Sequence, residues 1–513
     1  MMTTRTVRPA ARTAAIGDLT VIAHYLALAA IVIAGAALRL TALNRQSLWF
    51  DEIDVVVRAQ QPLGTVMRTF VAEGENGPLY NILLAIWIRL AGISEIAVRF
   101  PSAVAGTLAI PLIYLLARRL AGSTAGLLAA GLLAISPYHV WYSQEAKMYA
   151  LVVLLALASS VCLVEALERN RALWWAAYAI VTTLMFYTHV ATVLVFVAQS
   201  AYVLLTRRGW RGRERGWLVA AGVLTLPYLP IALWALRVVG GGVQTWQPDV
   251  GLWDAARILG IKFAVNRTDA VFETRGALLY AALAVGGAVV LAMRRERQRW
   301  WLLLVGLSAG PVVGLYLVSL RQSVFSDRYA IVALPAYLIL VAAAVAWLVR
   351  RRMLWPLGLL AAFLLLAFAW GPLRDVNRSS AAEKEDWRSA YAWVANRAQP
   401  GDVLLLHPGY IITTYDYYSQ REPRLQQYPI ATIPSFKVMW LDEPLMVQMI
   451  REQVGEARRY WLIESPVRAE GEDPNARLAG WLQRRGTLLD QHEVNGVRIR
   501  LYELDEPPAP ERP

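Results

Sequence analysis

The segment LTVIAHYLALAAIVIAGAALR (19–39) and the stretch LWFDEIDVV (48–56) that follows it decide how this chain folds. The segment has the apolarity of a helix that crosses a bilayer, for which about 20 residues are needed. The stretch brings three carboxylates, Asp51, Glu52 and Asp54, close to that helix. A charged side chain near a membrane either faces water or has a function. The side of the membrane on which these carboxylates lie therefore decides what they can do.

The composition is that of a membrane protein. The 513 residues are 57% hydrophobic and 17% charged, whereas soluble proteins are about 45–50% apolar and about 25% charged. Apolar runs recur up to about residue 380, and this pattern predicts a polytopic membrane domain followed by a soluble tail. The net charge of +13 comes from arginines in short connections, so we interpret it as topogenic and expect no nucleic-acid partner. The single cysteine, Cys162, excludes an intrachain disulfide.

Eleven membrane spans are predicted from the apolar runs, with ends placed to within a few residues. Arginine clusters occupy alternate connections, among them RRGWRGRER (207–215) and RRR (350–352). By the positive-inside rule the N-terminus is cytoplasmic, and the basic start lacks a clear cleavage site, which predicts an uncleaved first helix. The predicted spans are 19–39, 97–117, 122–138, 149–166, 172–188, 190–206, 217–236, 276–293, 300–319, 330–349 and 353–371.

The arginine clusters all lie on the cytoplasmic side only if PLYNILLAIWIRLAG (78–92) does not cross the membrane. It has about a dozen apolar residues, too few for a span, and it contains Arg89. We interpret it as an amphipathic helix at the outer surface. The acidic stretch then faces outward together with the turn at His189, RQSVFSDRY (321–329) and the C-terminal region. All candidate chemistry is therefore expected on the exoplasmic face.

The acidic stretch has two interpretations. Acids in the first turn of a helix favour its dipole, and Asp54 with Arg58 has the spacing of a plain helical ion pair. For Asp51 and Glu52, next to Trp49 at the membrane boundary, function is favoured, because a low-dielectric environment can tune a carboxylate as a base. The stretch that contains Glu75 and Asn76 is either a polar loop or a turn that folds back towards Asp51, and its spacing leaves both open.

SPYHVWYSQEAKMYA (136–150) crowds polar and aromatic side chains into a short outward connection. Its Ser136-Pro137 step is expected to break the third span. Interfacial tyrosines are often only belt residues, but an ionisable residue that enters a span is a functional hypothesis by default. The candidates here are His139, Tyr142, Gln144, Glu145, Lys147 and Tyr149.

Two further candidates lie at the ends of spans. His189 is a secondary candidate, because a lone histidine at a helix end is more often structural than a ligand. Arg328, followed by Tyr329, begins a span from outside against the positive-inside trend, and its planar fork suits phosphate. Together the outward groups fit a phosphate-headed lipid that carries a sugar. No Walker A, GxGxxG, HExxH or GxSxG motif occurs in the context that it needs.

Several of these stretches resemble one known family. FDE (50–52), GPLYNILLAIWIRLAG (77–92), SEIAVRFPSAVAG (94–106) and SPYHVWYSQEAKMYALVVLL (136–155) are similar to the protein-mannosyltransferase-like branch of the GT-C glycosyltransferases. That branch includes the aminoarabinose transferases of lipid A. The resemblance implies a multi-span enzyme that uses a polyprenyl-phosphate sugar and inverts the anomeric carbon.

The resemblance also implies roles for matching positions. Asp51 and Glu52 stand at the family's acidic pair, Arg328 and Tyr329 at its late Arg-Tyr pair, and Lys147 where the family usually has arginine. Lys147, Arg328 and Tyr329 are then the donor-phosphate residues. The expected substrate-binding residues are Glu75, Asn76, Tyr80, Tyr142, Gln144, Glu145, Tyr149 and His189.

One departure from the family concerns metal. Asn76-Gly77 stands where His-Pro is common, which removes one potential ligand. We therefore expect either no cofactor or a weakly held divalent cation on Asp51, Glu75 and His189, and oxygen-rich sites of this kind favour Mg²⁺ or Mn²⁺.

The expected fold is mainly α: a polytopic GT-C bundle of about 11 spans with a small C-terminal α/β extracytoplasmic domain. The membrane domain covers 1–371, residues 372–385 form a linker, the soluble domain covers 386–504, and 505–513 are disordered. Within the soluble domain, the pattern predicts a helix over 386–397 and strands within 399–408, 458–465 and 495–504.

Our leading hypothesis is a plasma-membrane glycosyltransferase that moves a sugar from a polyprenyl-phosphate donor to a lipid, glycan or protein acceptor. Asp51 would be the general base, with Lys147 and Arg328 on the leaving phosphate. The runner-up is a transporter or flippase of polyprenyl-linked glycans, although the ionisable candidates lie in outer loops and not in the middle of spans. A sensor or scaffold with an outer domain would leave the charged 142–149 connection unexplained.

Overall fold

The computed structural model describes most of the chain. The described residues are 10–68, 77–224, 249–266, 271–294, 299–376, 384–433, 443–473 and 476–506. The chain divides into two compact units. The helical unit comprises Met1–Thr41, Gly64–Leu83 and Arg99–Asn377, and the mixed unit comprises Ala42–Leu63, Leu84–Val98 and Arg378–Pro513.

Long apolar helices dominate the chain. Within the described ranges, seven helices are long and apolar enough to cross a membrane, or eight if one bent pair is counted as a span. The protein is therefore a multi-pass membrane protein, as the composition predicts. The long helices are Ala10–Leu40, Glu95–Ala121, Tyr149–Arg169, Val271–Ala292, Trp300–Ser319, Leu334–Arg350 with the 3-10 helix Asp327–Ala333 before it, and Trp355–Val376.

The predicted span 122–138 is a bent pair and not one straight helix. Ser123–Ile135 and Pro137–Ser143 meet at 59°. Pro137 has no amide hydrogen and cannot continue the first helix. Ser136 Oγ accepts a hydrogen bond from the amide of His139 at 3.3 Å and so caps the second helix. The break expected at the Ser-Pro step is confirmed.

Shorter helices fill the remaining apolar segments. Leu79–Ala91 has 13 residues and is too short to span, which agrees with the surface helix predicted over 78–92. The predicted span 217–236 is helical over 214–224, and its remainder lies outside the described residues. The other short helices of this part are Leu63–Arg68, Ala172–Phe186, the 3-10 helix Val190–Thr192, Val193–Leu205, the 3-10 helix Arg207–Gly209 and Leu252–Ala264.

The mixed unit contains a five-stranded sheet in its described part, in the order β2-β1-β3-β5-β4. The strands are β1 (Val403–His407), β2 (Ile430–Thr432), β3 (Arg459–Glu464), β4 (Gly486–Val494) and β5 (Val497–Leu504). β1 is parallel to β2 and β3, whereas β5 is antiparallel to β3 and β4. β1 is buried along its whole length, as its run of three leucines predicts for a central parallel strand.

The three predicted strands correspond to β1, β3 and β5, so the α/β character of the tail is confirmed. β2 has three residues and β4 is polar, and neither has the apolar pattern by which a strand is found in a sequence. The helices of this region are Trp387–Ala395, Ile412–Ser419, Glu443–Val454, Pro466–Glu472 and Arg477–Arg485, with 3-10 helices Gly409–Ile411 and Pro423–Gln427.

The helix Phe50–Gln60, which we call the acidic helix, belongs to the mixed unit. It is named for Asp51 and Glu52 in its first turn. Its apolar side is buried and consists of Ile53, Val55, Val56 and Ala59. The amide of Leu48, just before the helix, donates to the hydroxyl of Tyr418 at 3.0 Å. The C-terminal segment and the segment that follows the first long helix therefore fold together.

The predicted linker, 372–385, begins inside a helix. The helix Trp355–Val376 continues past Pro372 because Leu373 is buried against Ala369 and Val140. Residues 377–383, which are half of the linker, and residues 507–513, which are most of the predicted disordered end, lie outside the described residues.

Candidate functional site

His189 lies at the break between two apolar helices and is buried. It caps the 3-10 helix Val190–Thr192, since its Nδ1 accepts from the amide of Ala191 at 3.1 Å. When Nδ1 accepts, the proton of a neutral imidazole lies on Nε2. Within the described part of the chain, Nε2 is buried and has no hydrogen-bond partner. Such a donor is costly to bury unless a ligand satisfies it.

Lys147 and Arg328 come from two other segments, and both act on His189. Burial, then the charge of Arg328 and then that of Lys147, lower the pKa of His189 to about 3. The imidazole is therefore neutral at pH 7, and both cations are close enough for their charge to reach it. Two cations near a neutral ring favour an anion. We call Lys147, His189 and Arg328, with Tyr149 and Tyr329, the basic cluster.

Aromatic rings line the basic cluster. The ring centroid of His189 lies 4.7 Å from that of Tyr329 and 6.1 Å from that of Tyr149. Tyr149 in turn contacts Tyr142, at 4.9 Å and edge to face. Tyr142 contacts Tyr138 at 5.0 Å, and the hydroxyl of Tyr138 donates to the carbonyl of Asp327 at 2.7 Å. This row fixes the segment that carries Arg328 against the 136–150 connection.

Lys147 is held through its backbone. Ser102 Oγ donates to the carbonyl oxygen of Lys147 at 3.0 Å, and the hydroxyl of Tyr80 lies 2.9 Å from Ser102 Oγ. Tyr80 is itself buried. Tyr80, a predicted substrate-binding residue, is thus linked to the backbone of Lys147 through Ser102, and it helps to position that backbone.

Gly77 explains one departure from the family pattern. A Cβ atom at this position would lie 2.1 Å from the carbonyl oxygen of Tyr187. The amide of Leu79 donates to the same oxygen at 2.9 Å, so the two segments are fixed close together. A side chain cannot be accommodated there without moving backbone. The residue is therefore glycine for a packing reason, next to the break at His189.

The remaining candidates of the 136–150 connection are bound to the first helix or buried. Gln144 Nε2 donates to the carbonyls of Leu38 and Thr41, both at 2.9 Å. Glu145 is buried, with 1% of its surface exposed. Gln144 therefore anchors the connection to the end of the first helix.

Arg39 is a residue that the sequence analysis missed. Its side chain is fully buried and donates to the carbonyls of Ala134 at 3.0 Å and Leu133 at 2.9 Å, which end the helix before the bend. Its Nη2 also lies 2.8 Å from Nδ1 of His139. Arg328 was singled out as an arginine at the end of a span that is predicted to face outward, and the same signal was available for Arg39.

In the mixed unit, both acids of the predicted catalytic pair have cationic partners. Asp51 Oδ1 lies 3.8 Å from Arg468 Nη2, and Glu52 Oε2 lies 3.6 Å from Lys384 Nζ. Glu52 and Lys384 are both almost wholly buried. Asp54 forms the expected helical ion pair with Arg58 at 3.1 Å. The sequence contains no local signal for the two long-range pairs.

Glu385 organises the surroundings of Asp51. Its Oε1 accepts from Arg468 Nε and from Ser465 Oγ, both at 2.7 Å. Its Oε2 accepts from the amide of Phe50 at 3.2 Å and from Trp387 Nε1 at 3.0 Å. Burial lowers the pKa of Arg468, but the charges of Glu385 and Asp51 outweigh burial and leave that pKa above its usual value. Arg468 therefore stays charged.

Two predicted site residues, Glu75 and Asn76, lie outside the described residues. Among the residues that are described, no group of three or more His, Cys, Asp or Glu side chains is placed to hold a metal ion. The structure brings five of the predicted residues together in the basic cluster, and it gives Asp51 and Glu52 their partners in the mixed unit.

Comparison with known proteins gives a partial match to one family and a shared fold. Residues 75–234 match the family model described as dolichyl-phosphate-mannose-protein mannosyltransferase. The mannosyltransferase candidate YycA of Bacillus subtilis (strain 168) is 25% identical over 215 residues, which are 42% of this chain and 31% of YycA. The chain therefore aligns with about a third of the length of that curated relative.

Solved structures share this fold over most of the chain. ArnT from Cupriavidus metallidurans in its apo state superposes with a TM-score of 0.57 at 13% identity, over 95% of this chain and 98% of ArnT. ArnT bound to undecaprenyl phosphate gives 0.54 at 14%, over 92% and 97%. The oligosaccharyltransferase AglB from Archaeoglobus fulgidus, with an inhibitory peptide and a dolichol-phosphate, gives 0.54 at 12%, over 93% and 74%. The resemblance to GT-C glycosyltransferases of this type and the predicted fold class are confirmed.

Proposed function

We propose that this protein is a membrane glycosyltransferase that transfers a sugar from a polyprenyl-phosphate donor to an acceptor hydroxyl or amine. The observation that carries the proposal is the basic cluster, where Lys147 and Arg328 act on one buried, neutral His189 beside aromatic rings. This arrangement suits a phosphate at a lipid boundary. The solved structures of ArnT with undecaprenyl phosphate and AglB with dolichol-phosphate support a donor of this class.

In the proposed reaction, the acceptor gives its proton to the carboxylate of Asp51 while its oxygen or nitrogen bonds to the anomeric carbon. The bond from that carbon to the phosphate oxygen breaks, and its electron pair leaves with polyprenyl phosphate. Attack opposite the leaving group inverts the anomeric centre. General-base help of this kind contributes about 10²–10⁴-fold.

Lys147 and Arg328 have their largest effect as the phosphate oxygen gains charge, because preorganised cations stabilise the transition state more than the ground state. The Nε2–H of His189 supplies a neutral hydrogen bond to the same phosphate. Tyr149 and Tyr329 provide the aromatic surface on which the lipid or the sugar packs.

The proposed topology places the N-terminus in the cytoplasm and the C-terminal segment outside the plasma membrane, supported by the alternation of the arginine clusters. Cysteine introduced into 207–215 should label only from the cytoplasm, and cysteine introduced at exposed positions of the C-terminal segment only from outside. The native Cys162 is buried, which keeps the background low. Labelling of the C-terminal segment from the cytoplasmic side would contradict this topology.

A divalent cation remains a separate proposal. Asp51 and Glu75 would supply oxygen ligands, and the ion would screen phosphate charge. His189 could join them through Nε2 only with its proton on Nδ1, which would replace both the capping bond from Ala191 and the Nε2–H bond to phosphate. Glu75 lies outside the described residues. Titration with a strong chelator tests the idea: unchanged turnover would exclude a required, exchangeable metal.

Turnover by the purified protein decides the function. The enzyme in lipid nanodiscs, given a polyprenyl-phosphate sugar and candidate acceptors, should release polyprenyl phosphate together with glycosylated acceptor. A flippase or a scaffold would leave the donor intact, so an unconsumed donor across an acceptor panel would contradict the proposal.

A further inference from the structure

We propose that the C-terminal segment contributes two positioning residues, Glu385 and Arg468, that set the orientation and charge of Asp51. This inference rests on the proposed function, since Asp51 is the base there. It gives the mixed unit a catalytic purpose: the soluble segment completes the helix that carries the base.

The acidic helix lacks a cap of its own. Its N-cap residue, Trp49, forms no side-chain capping bond. The amide of Phe50 donates instead to Glu385 Oε2 at 3.2 Å, across 335 residues of sequence. A carboxylate at a helix N-terminus satisfies a free amide and interacts favourably with the helix dipole. Glu385 therefore acts as a remote cap for the first turn, which is the turn that contains Asp51.

Glu385 is itself fixed. Its two oxygens accept four hydrogen bonds, from Phe50, Trp387, Ser465 and Arg468. A carboxylate has about four acceptor positions, so these donors hold the group in one orientation. Because Trp387 begins a helix and Ser465 precedes another, the position of the acidic helix is defined by the fold of the C-terminal segment.

Arg468 extends this arrangement to Asp51. Its Nε is bound to Glu385 at 2.7 Å, its guanidinium lies 4.5 Å from the ring centroid of Phe50, and its Nη2 lies 3.8 Å from Asp51 Oδ1. Three contacts on one planar group leave it little rotational freedom. A fixed cation beside Asp51 favours the ionised carboxylate, which is the form that accepts a proton.

Neighbouring charges complete the environment of Asp51. Glu52 is paired with Lys384 and Glu385 with Arg468. Removing Arg468 therefore removes a cation that lies close to Asp51 and also breaks the pair with Glu385, whereas the pair of Glu52 with Lys384 stays in place. This makes Arg468 the sharper of the two positions for a test.

The test compares Arg468→Gln, Arg468→Lys and Glu385→Gln with the wild-type enzyme. Arg468→Gln should lower kcat by about 10–100-fold with little change in donor KM, as expected when a reacting group is misplaced. The acidic limb of its pH–kcat/KM profile should move to higher pH, because Asp51 loses a stabilising cation. Arg468→Lys keeps a charge and should restore much of the profile.

Arg484→Gln is the matched control, since Arg484 forms an exposed pair with Glu443 in the same unit. Its kinetics should equal those of the wild type. If Arg468→Gln lowers Tm but keeps the wild-type kcat and pH profile, Arg468 has only a structural role. The positioning inference is then wrong, and the proposed function is unaffected. If the wild-type protein turns over no donor, the proposed function fails and this inference with it.

Discussion

Lys384 Nζ lies 3.6 Å from Glu52 Oε2, and the two side chains are 5% and 0% exposed. A lysine from the start of the C-terminal segment thus neutralises a buried acid in the first turn of the acidic helix. Removing one partner of a buried pair strands a charge, whereas replacing both partners by apolar residues is often close to neutral.

Lys384→Met should therefore destabilise the protein by about 3–5 kcal/mol, and Lys384→Met with Glu52→Met should recover most of the loss. Thermal denaturation of the two variants checks this. Arg424→Met breaks an exposed pair with Glu422 and should change stability by less than about 1 kcal/mol. Equal losses in the single and double variants would contradict the pairing.

Asp51→Asn should reduce turnover by at least about 100-fold and leave Tm nearly unchanged, because it removes the proposed base and preserves side-chain shape. Asp54→Asn is the matched control: it lies on the same helix and pairs only locally, with Arg58 at 3.1 Å. Glu52→Gln should be milder than Asp51→Asn. Wild-type turnover by Asp51→Asn would place the base elsewhere.

Lys147 and Arg328 should behave as one unit in a double-mutant cycle on kcat/KM. Each alanine variant disturbs the same phosphate, so the two losses should fail to add by about 0.5–3 kcal/mol. Arg328→Lys keeps the charge but loses the bidentate fork, and should be clearly impaired, though less than Arg328→Ala. Arg321→Ala, at an exposed position of the same connection, serves as the control. Small, additive losses would mean that the two cations do not share a ligand.

Gly77→Ala should destabilise the protein by about 1–3 kcal/mol, since the new methyl would overlap the carbonyl of Tyr187. Gly64→Ala adds the same methyl where no atom lies within 4 Å and should be harmless. Chemical denaturation compares the two. A tolerated Gly77→Ala would show that the close approach of the two segments is not required.

Stability should fall on acidification because of His189. Its pKa is about 3 in the folded protein and about 6.5 in an unfolded chain. Between these values the unfolded chain binds a proton that the folded protein does not, so stability decreases as pH falls from about 6.5 towards about 3.

His189→Asn, which keeps a capping side chain, should lessen the decrease in Tm between about pH 7.5 and about pH 5. His492→Asn, in the mixed unit, controls for the loss of a histidine. An unchanged pH dependence in His189→Asn would show that the ring is not held neutral.

Much of the fold could be predicted from patterns among residues that are neighbours in the sequence. Runs of apolar residues predicted the long helices, the Ser136-Pro137 step predicted the bend, and the leucines of β1 predicted a strand. Each of these follows from residues that are neighbours in the chain, because helix length, loss of an amide donor and strand burial are local properties. The family motifs likewise located Asp51, Lys147 and Arg328.

The partners of those residues were decided only by the tertiary structure. Arg468 and Lys384 reach the acidic helix from segments more than 300 residues away, and Lys147 and Arg328, from two separate segments, both lower the pKa of His189. An ion pair depends on the distance between two side chains in space, and sequence spacing sets that distance only within one helix or strand. The sequence by itself therefore determined which groups are candidates for the chemistry, and the packing of distant segments determined the charged partners and the surroundings of each.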